Sequence, residues 1–263
     1  MLDLFLILTP LLLLAIVALL GFTGCYTPVM LTPPPPPPPG VTHVKTVVNS
    51  NGANTNTITS DMLTLQGGEF IVVAVQWGSA NAAPGMPQLS ETSMASIKFP
   101  GVSNGGPFVW YALDSNHSMM VQIFSASNPM GNTQFTVKAS LLQASTVPWN
   151  LCVSAYDGVN ESTPLSSPQS SSLPGDNPHT SPISFGTGAL VYAVAFAADS
   201  SGLFPSGNML TAGAGFTPES PQPGNPLVED GNATNPLTAQ VNNSNTDPNA
   251  KGFIFAMVLN SES

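Results

Sequence analysis

The 263-residue chain has a net charge of −10, with only four basic residues, all of them lysine, against 14 acidic residues. Nucleic-acid binding needs several cations that displace counterions from phosphates, so this composition excludes it. Only 7% of the residues are charged, whereas about a quarter are charged in an ordinary globular protein. A polar surface built from Ser, Thr, Asn and Gln is common on exported bacterial proteins, so we expect the bulk of the chain outside the cytoplasm.

The N-terminal stretch is apolar from Leu4 to Phe22 apart from Thr9. At about 1.5 Å per residue, a helix of this length spans roughly 28 Å, close to the hydrocarbon thickness of a bilayer. We therefore expect residues 4–22 to form a transmembrane-like helix that contacts the lipid bilayer. Residues 1–25 then act as a membrane anchor or a lipoprotein signal, and the domain lies in the periplasm or at the cell surface.

Three interpretations of residues 1–25 remain open. They can form an uncleaved single-span anchor, a lipoprotein signal or an ordinary cleaved signal peptide. The segment Phe22-Thr23-Gly24-Cys25 resembles a bacterial lipobox, which makes Cys25 the candidate for lipidation. The apolar run is longer than a usual signal-peptide core and no Lys or Arg precedes it, so the pattern favours the uncleaved anchor.

A proline-rich spacer, residues 26–40, follows the anchor. Its seven consecutive prolines, Pro33 to Pro39, predict a polyproline II rod of roughly 22 Å at about 3.1 Å per residue. We expect this rod to hold residues 41–263 away from the membrane.

Residues 41–263 show short apolar or alternating runs separated by Gly, Pro, Asn and Ser clusters, which predict an all-β domain. A dozen strands over this length fit a two-sheet antiparallel sandwich of the jelly-roll or Ig-like kind. The segment from Asn160 to Pro182 is rich in Ser and Pro and is expected to be a surface connection. The expected strands are Val44–Val48, Ile58–Leu65, Phe70–Trp77, Ser93–Phe99, Phe108–Leu113, Met119–Ser125, Gln134–Leu142, Asn150–Tyr156, Ala189–Ala197, Leu227–Glu229, Leu237–Val241 and Gly252–Leu259.

Three of the expected strands are almost continuously apolar. They are the runs Phe70–Val75, Leu190–Phe196 and Phe253–Leu259. Continuous apolar runs of this length are typical of strands covered on both faces. We therefore expect these three to be central strands.

The order of core and turn residues resembles an uncharacterised Ig-like or jelly-roll β-sandwich domain of bacterial secreted and surface hypothetical proteins. The resemblance covers most of the chain from Val41 to Ser263 and implies a fold and an extracellular setting. Its members have no assigned catalytic residues, so the resemblance implies none here. The segments that carry it are Glu69–Trp77, Phe108–Tyr111, Cys152–Val159 with Thr163–Leu165, Gly188–Phe196, Gly215–Thr217 and Gly252–Val258.

Motifs for catalysis or metal binding are weak in this sequence. Gly101 to Gly105 matches a nucleophile-elbow pattern, but Pro100 precedes it and no helix is expected after it, so a loop is the better interpretation. The histidines His43, His117 and His179 lie far apart, and we expect them at the surface because zinc needs three or four converging donors. We therefore predict no catalytic, cofactor or metal residues.

Calcium is the one cofactor kept as a candidate. Calcium accepts carboxylates and backbone carbonyls in turns, although no spaced acidic loop motif is present. Aromatic residues could stack on sugars, but they lie inside apolar strands, so most are expected in the core and one or two on a binding face. The acidic candidates, which we expect in turns, are Asp157, Asp199, Glu229, Asp230 and Asp247. The aromatic candidates are Trp77, Trp110, Tyr111, Trp149 and Tyr156.

These observations predict a membrane-anchored, extracytoplasmic structural or adhesive module without catalytic activity. Its partner is a protein, a glycan or another copy of the chain through self-association. One alternative is a carbohydrate-binding or carbohydrate-active accessory protein. Another is an accessory subunit of a membrane complex or filament, because small residues at spacings of three, such as Gly21 and Gly24, permit close helix contacts.

Overall fold

The computed structural model describes residues 40–79, 96–98, 108–112, 118–127, 133–145, 148–174, 177–198, 210–220, 226–243 and 251–262. They belong to one compact unit, Pro38–Ser263. Every regular element among them is a β-strand, and none of the described residues forms a helix long and apolar enough to cross a bilayer. The predicted anchor at residues 4–22 and the lipidation candidate Cys25 lie outside the described residues.

Seventeen strands make up the described part of the chain. In order they are β1 Thr42–Asn51, β2 Thr55–Thr59, β3 Leu63–Leu65, β4 Phe70–Ser79, β5 Ser96–Lys98, β6 Phe108–Ala112, β7 Ser118–Ser127, β8 Thr133–Phe135, β9 Lys138–Ser145, β10 Trp149–Asp157, β11 Leu165–Pro174, β12 Leu190–Ala198, β13 Leu210–Ala212, β14 Thr217–Pro218, β15 Leu227–Gly231, β16 Val241–Asn243 and β17 Lys251–Leu259.

Two five-stranded sheets dominate the fold. Sheet I has the order β1-β10-β4-β7-β6, and sheet II has the order β11-β17-β12-β15-β14. The neighbouring strands of both sheets are antiparallel. Three smaller ladders, β2-β9-β5, β3-β8 and β13-β16, accompany them. The predicted all-β antiparallel class is confirmed, and the two sheets are consistent with a β-sandwich.

The core has three layers because side chains alternate between the faces of each strand. One cluster combines residues of sheets I and II, such as Val72 of β4 and Val194 of β12, and therefore lies between the sheets. A second cluster packs Ile71 and Val73 of sheet I against the small ladders that contain β2, β3 and β9. A third packs Val191 of sheet II against residues that include Val241 of β16. Both central sheets are thus covered on both faces.

The three continuous apolar runs lie in β4, β12 and β17, and their residues are buried throughout. The prediction that these are central strands is confirmed. Burial on both faces removes the polar alternation that a half-exposed strand would show, which is why these strands were the easiest to recognise.

The segment from Asn160 to Pro182 is not the simple surface connection that its composition predicts. It contains β11, which pairs with β17 at the edge of sheet II. A bulge between Ser166 and Gln169 interrupts the pairing, and Ser167 has a positive φ of 50°. An edge strand stays largely exposed and pairs through its backbone, so it needs no apolar run that a sequence pattern could reveal. The exposed two-residue strand β14, at the opposite edge of sheet II, escaped prediction for the same reason.

Candidate functional site

A cluster of titratable side chains lies where an edge of sheet I meets an edge of sheet II. His43 belongs to β1, Glu219 follows β14, and Asp230 belongs to β15. One potential metal-ligand atom from each residue lies within 4.8 Å of those of the other two. His43 Nδ1 and Glu219 Oε2 are 2.6 Å apart. We call these three residues the edge cluster.

A β-bulge brings His43 into this cluster. His43 pairs with Tyr156 and Lys45 pairs with Ala155, so Val44 is an extra residue in β1. Thr46 faces inward, so regular alternation of side chains along β1 would place Val44 on the inner face as well and His43 on the outer one. The extra residue reverses this, and the imidazole packs edge-on against the Tyr156 ring with a centroid distance of 5.4 Å. Bulges commonly re-aim side chains at functional positions.

Hydroxyl groups extend the cluster between the two sheets. His43 Nε2 lies 2.9 Å from Thr46 Oγ1, and the Thr46 hydroxyl donates to Ser154 Oγ at 2.8 Å. The hydroxyls of Tyr156 and Tyr192 are buried and have no hydrogen-bond partner among the described residues. Burial raises the pKa of both phenols, so they remain neutral donors at physiological pH.

The contact between His43 and Glu219 must contain a proton, because two unprotonated acceptors would repel each other at 2.6 Å. Burial lowers the pKa of His43, against an opposing backbone interaction with Lys45. Burial also raises the pKa of Glu219. Mutual attraction in an ion pair would shift both values the other way. Desolvation therefore dominates the pKa shift of each residue, and one proton lies in the contact between the two side chains.

Asp230 is the least accessible member of the edge cluster, with 6% of its surface exposed. Its Oδ2 atom has no hydrogen-bond partner among the described residues. Burial, followed by the nearby Glu219 carboxylate, raises the pKa of Asp230 to about 7, against an opposing effect of the Tyr156 hydroxyl. A buried carboxylate oxygen without a partner is rare in native structures and calls for a physical explanation.

Glu229, the neighbour of Asp230, points to the other face of β15. It is fully buried, and its Oε2 accepts a hydrogen bond from the Gly213 N–H at 3.1 Å. Its Oε1 has no partner among the described residues. Burial is the main cause that raises the pKa of Glu229 to about 8. The hydrogen bond from Gly213 opposes this rise, and the charge of Asp230 adds to it.

The expectation that Glu229 and Asp230 are turn residues is therefore wrong. Both are buried within β15, because that strand lies between β12 and β14 in sheet II. Of the other calcium candidates, Asp157 is exposed at the end of β10, while Asp199 and Asp247 lie outside the described residues. The structure does not bring Asp157 to the edge cluster.

The histidine predictions have mixed outcomes. His43 is only partly exposed, with 19% of its side chain accessible, and it contacts Glu219, so the expectation of a surface histidine holds only in part. His179 is exposed, as predicted. His117 and the segment Gly101 to Gly105 lie outside the described residues.

The aromatic candidates for sugar stacking are largely core residues. Trp77, Trp149 and Tyr156 are all buried, and the Trp149 indole donates to Thr55 Oγ1 at 2.7 Å. The side chains of Trp110 and Tyr111 lie outside the described part of the structure. Cys152 is also a buried core residue with a free thiol, as its apolar surroundings in the sequence predict.

A second surface feature is a groove of about 740 Å³ beside edge strand β11. Apart from the ionisable imidazole of His179, its lining is uncharged and consists mainly of hydroxyl and amide groups. We call it the β11 groove. The residues that line it are Gln169, Ser170, Ser171, His179, Thr180, Ser181, Pro182 and Thr238.

Together with the neighbouring Thr46, His43 and Glu219 of the edge cluster place a hydroxyl, an imidazole and a carboxylate in the order of a hydrolase triad. A nucleophilic hydroxyl must give its proton to the imidazole. Here the Thr46 hydroxyl donates to Ser154 instead. The arrangement suits cation binding or hydrogen bonding between strands better than nucleophilic catalysis.

No protein-family description matches the chain, and no curated protein matches it.

Protonation of the buried acids makes the stability of the domain depend on pH. Glu229 has an ordinary pKa of 4.5 when unfolded and about 8 when folded. Between these values the folded state holds a proton that the unfolded state has lost, so the free energy of unfolding falls as the pH rises. The decrease is at most about 1.4 kcal/mol per pH unit for each such group. Asp230 acts in the same direction up to about pH 7.

We therefore expect Glu229→Gln to weaken the loss of stability between pH 5 and pH 8 and to raise the melting temperature at pH 8. Thermal unfolding followed by circular dichroism, with a chelator present, measures this effect. Glu161→Gln, at an exposed position, is the matched control. A pH dependence that is the same in Glu229→Gln and wild type would contradict the assignment of Glu229.

Proposed function

We propose that the chain is a membrane-anchored, extracytoplasmic structural or adhesive module without catalytic activity. The observation that carries this proposal is the short separation along the chain between the proline run and the first strand. The run ends at Pro39, and β1 starts at Thr42. A spacer that leads directly into the first strand of a sheet is the arrangement expected of a tethered domain.

The entry of the chain into the domain is tightly packed. The Val41 N–H donates to the Gly188 carbonyl at 2.8 Å, and Val41 is buried. A Cβ atom on Gly40 would lie 2.9 Å from the Gly188 oxygen, so only glycine fits without displacing backbone. A tether attached at Gly40 is therefore fixed to the body of the domain and not to a loose terminal segment.

The β11 groove favours a specific form of the adhesive function, namely carbohydrate binding. Hydroxyl and amide side chains form directional hydrogen bonds with the hydroxyls of a neutral glycan. The exposed edge of β11 contains Pro168 and Pro174, which lack an N–H, and the bulge at Ser167. These features hinder the addition of a partner strand, so recognition through side chains is the better use of this surface.

Membrane attachment can be tested by fractionating a bacterial host that expresses the full chain. We expect the wild-type protein in the membrane fraction after alkaline washing, with the domain open to protease added from outside the cytoplasm. Leu12→Arg with Leu13→Arg should release the protein or prevent its insertion, because central arginines cost roughly 5–7 kcal/mol together on an insertion scale. Thr27→Arg with Thr32→Arg, outside the apolar run, is the matched control.

The intact mass of the membrane-bound protein then distinguishes the two forms of attachment. A mass that includes residues 1–24 identifies an uncleaved anchor. A mass that begins at Cys25 with acyl chains identifies a lipoprotein. Recovery of the wild-type chain in the soluble fraction, with an unchanged distribution of the double-arginine variant, would contradict the tethered module.

Carbohydrate binding can be tested by titrating neutral oligosaccharides into the full chain. We expect Gln169→Ala with Ser171→Ala to weaken binding by roughly tenfold, since each lost hydrogen bond contributes about 0.5–1.5 kcal/mol. Ser162→Ala, at an exposed position outside the groove, should leave the affinity unchanged. Failure to bind any neutral oligosaccharide would reject this form of the function. Self-association abolished by the same double variant would instead favour contact with another copy.

A further inference from the structure

We propose that His43, Glu219 and Asp230 bind one divalent transition-metal ion of the zinc or manganese kind. This inference does not depend on the proposed function, because it rests on the donor atoms of the edge cluster alone. The ion would join β1, the first strand after the spacer, to sheet II.

The donor set and its spacing support this assignment. The cluster supplies one imidazole nitrogen and two carboxylates, each with a ligand atom within 4.8 Å of the others. Zinc binds such ligands at about 2.0–2.2 Å in tetrahedral geometry, which places neighbouring donors roughly 3.4 Å apart. The His43 and Glu219 atoms, now 2.6 Å apart, need only a small outward movement, and the ion takes the place of the proton between them.

Asp230 provides the independent observation that points to a ligand. Its side chain is more than nine-tenths buried, and Oδ2 has no hydrogen-bond partner among the described residues. The same carboxylate contributes a ligand atom to the cluster. A bound cation would give the Oδ2 atom the partner that it lacks and offset the cost of burying the carboxylate.

The imidazole favours a transition metal over calcium. Calcium takes six to eight oxygen ligands, whereas imidazole suits zinc and other first-row metals. The described residues supply three donors, which matches a site with three protein ligands and water in the remaining positions. The partly exposed side chains of His43 and Glu219, at 19% and 15%, leave a path for the ion and its water.

The backbone around the cluster holds the ligands on separate, firmly paired elements. The bulge in β1 aims His43 inward, and the Glu219 N–H donates to the Val228 carbonyl of β15 at 2.8 Å. Glu219 and Asp230 thus belong to one corner of sheet II, while His43 belongs to sheet I. A metal at this position would tie the edges of the two sheets together beside the tether.

Isothermal titration of the full chain in detergent, after removal of metal with EDTA, tests this proposal with zinc, manganese and calcium chlorides. We expect one zinc ion per chain, with weaker binding of calcium. Asp230→Asn and His43→Gln should each lower the zinc affinity by roughly tenfold or more. Asp61→Asn, which removes an exposed carboxylate outside the cluster, is the matched control and should bind zinc like wild type.

Two further measurements keep the test independent of folding defects. Circular dichroism establishes whether each variant is folded. If Asp230→Asn does not fold, the test depends on His43→Gln, which changes a partly exposed residue. The visible spectrum of bound cobalt should change in His43→Gln, because one nitrogen ligand is lost. The proposal is overturned if wild type binds no zinc at millimolar concentrations, or if the folded variants bind it as tightly as wild type.

Discussion

Burial of both faces of the two central sheets is the constraint on which the rest of the structure depends. Because β4 and β12 are apolar on both faces, each sheet needs a second covering layer beyond its partner sheet, and the small ladders contribute to it. Polar groups inside such an arrangement must find partners among themselves or lie at the edges of the sheets. The edge cluster is such a group of polar side chains, and it lies where β1 faces β14 and β15.

The two acidic residues of β15 show how one strand places similar groups in different surroundings. Glu229 faces the outer layer and accepts a hydrogen bond from Gly213, so its position is explained by the turn that it supports. Asp230 faces the layer between the sheets, beside Tyr156 and His43, and keeps an oxygen without a described partner. The first arrangement is structural, whereas the second is the kind of site that a cation can complete.

The sequence allowed the fold class and the central strands to be predicted, because continuous apolar runs and turn residues are local signals. It did not reveal the edge cluster, whose members come from distant parts of the chain. His43 was expected at the surface because no other metal-ligand residue is suitably spaced from it in the sequence, and only the pairing with β10 reveals the bulge at Val44 that turns it inward. Glu229 and Asp230 looked like turn residues because β15 is short and followed by Gly and Asn. Strand β11 had no apolar pattern because it lies at an edge.

The contact between His43 and Glu219 joins the strand that follows the spacer to the second sheet. A double-mutant cycle with His43→Ala and Glu219→Ala, measured as the free energy of unfolding in metal-free buffer, isolates this contact. The structure predicts a favourable coupling of roughly 0.5–3 kcal/mol, the range observed for residues in direct contact. Additive effects, with a coupling near zero, would contradict a stabilising contact between the two sheet edges at these residues.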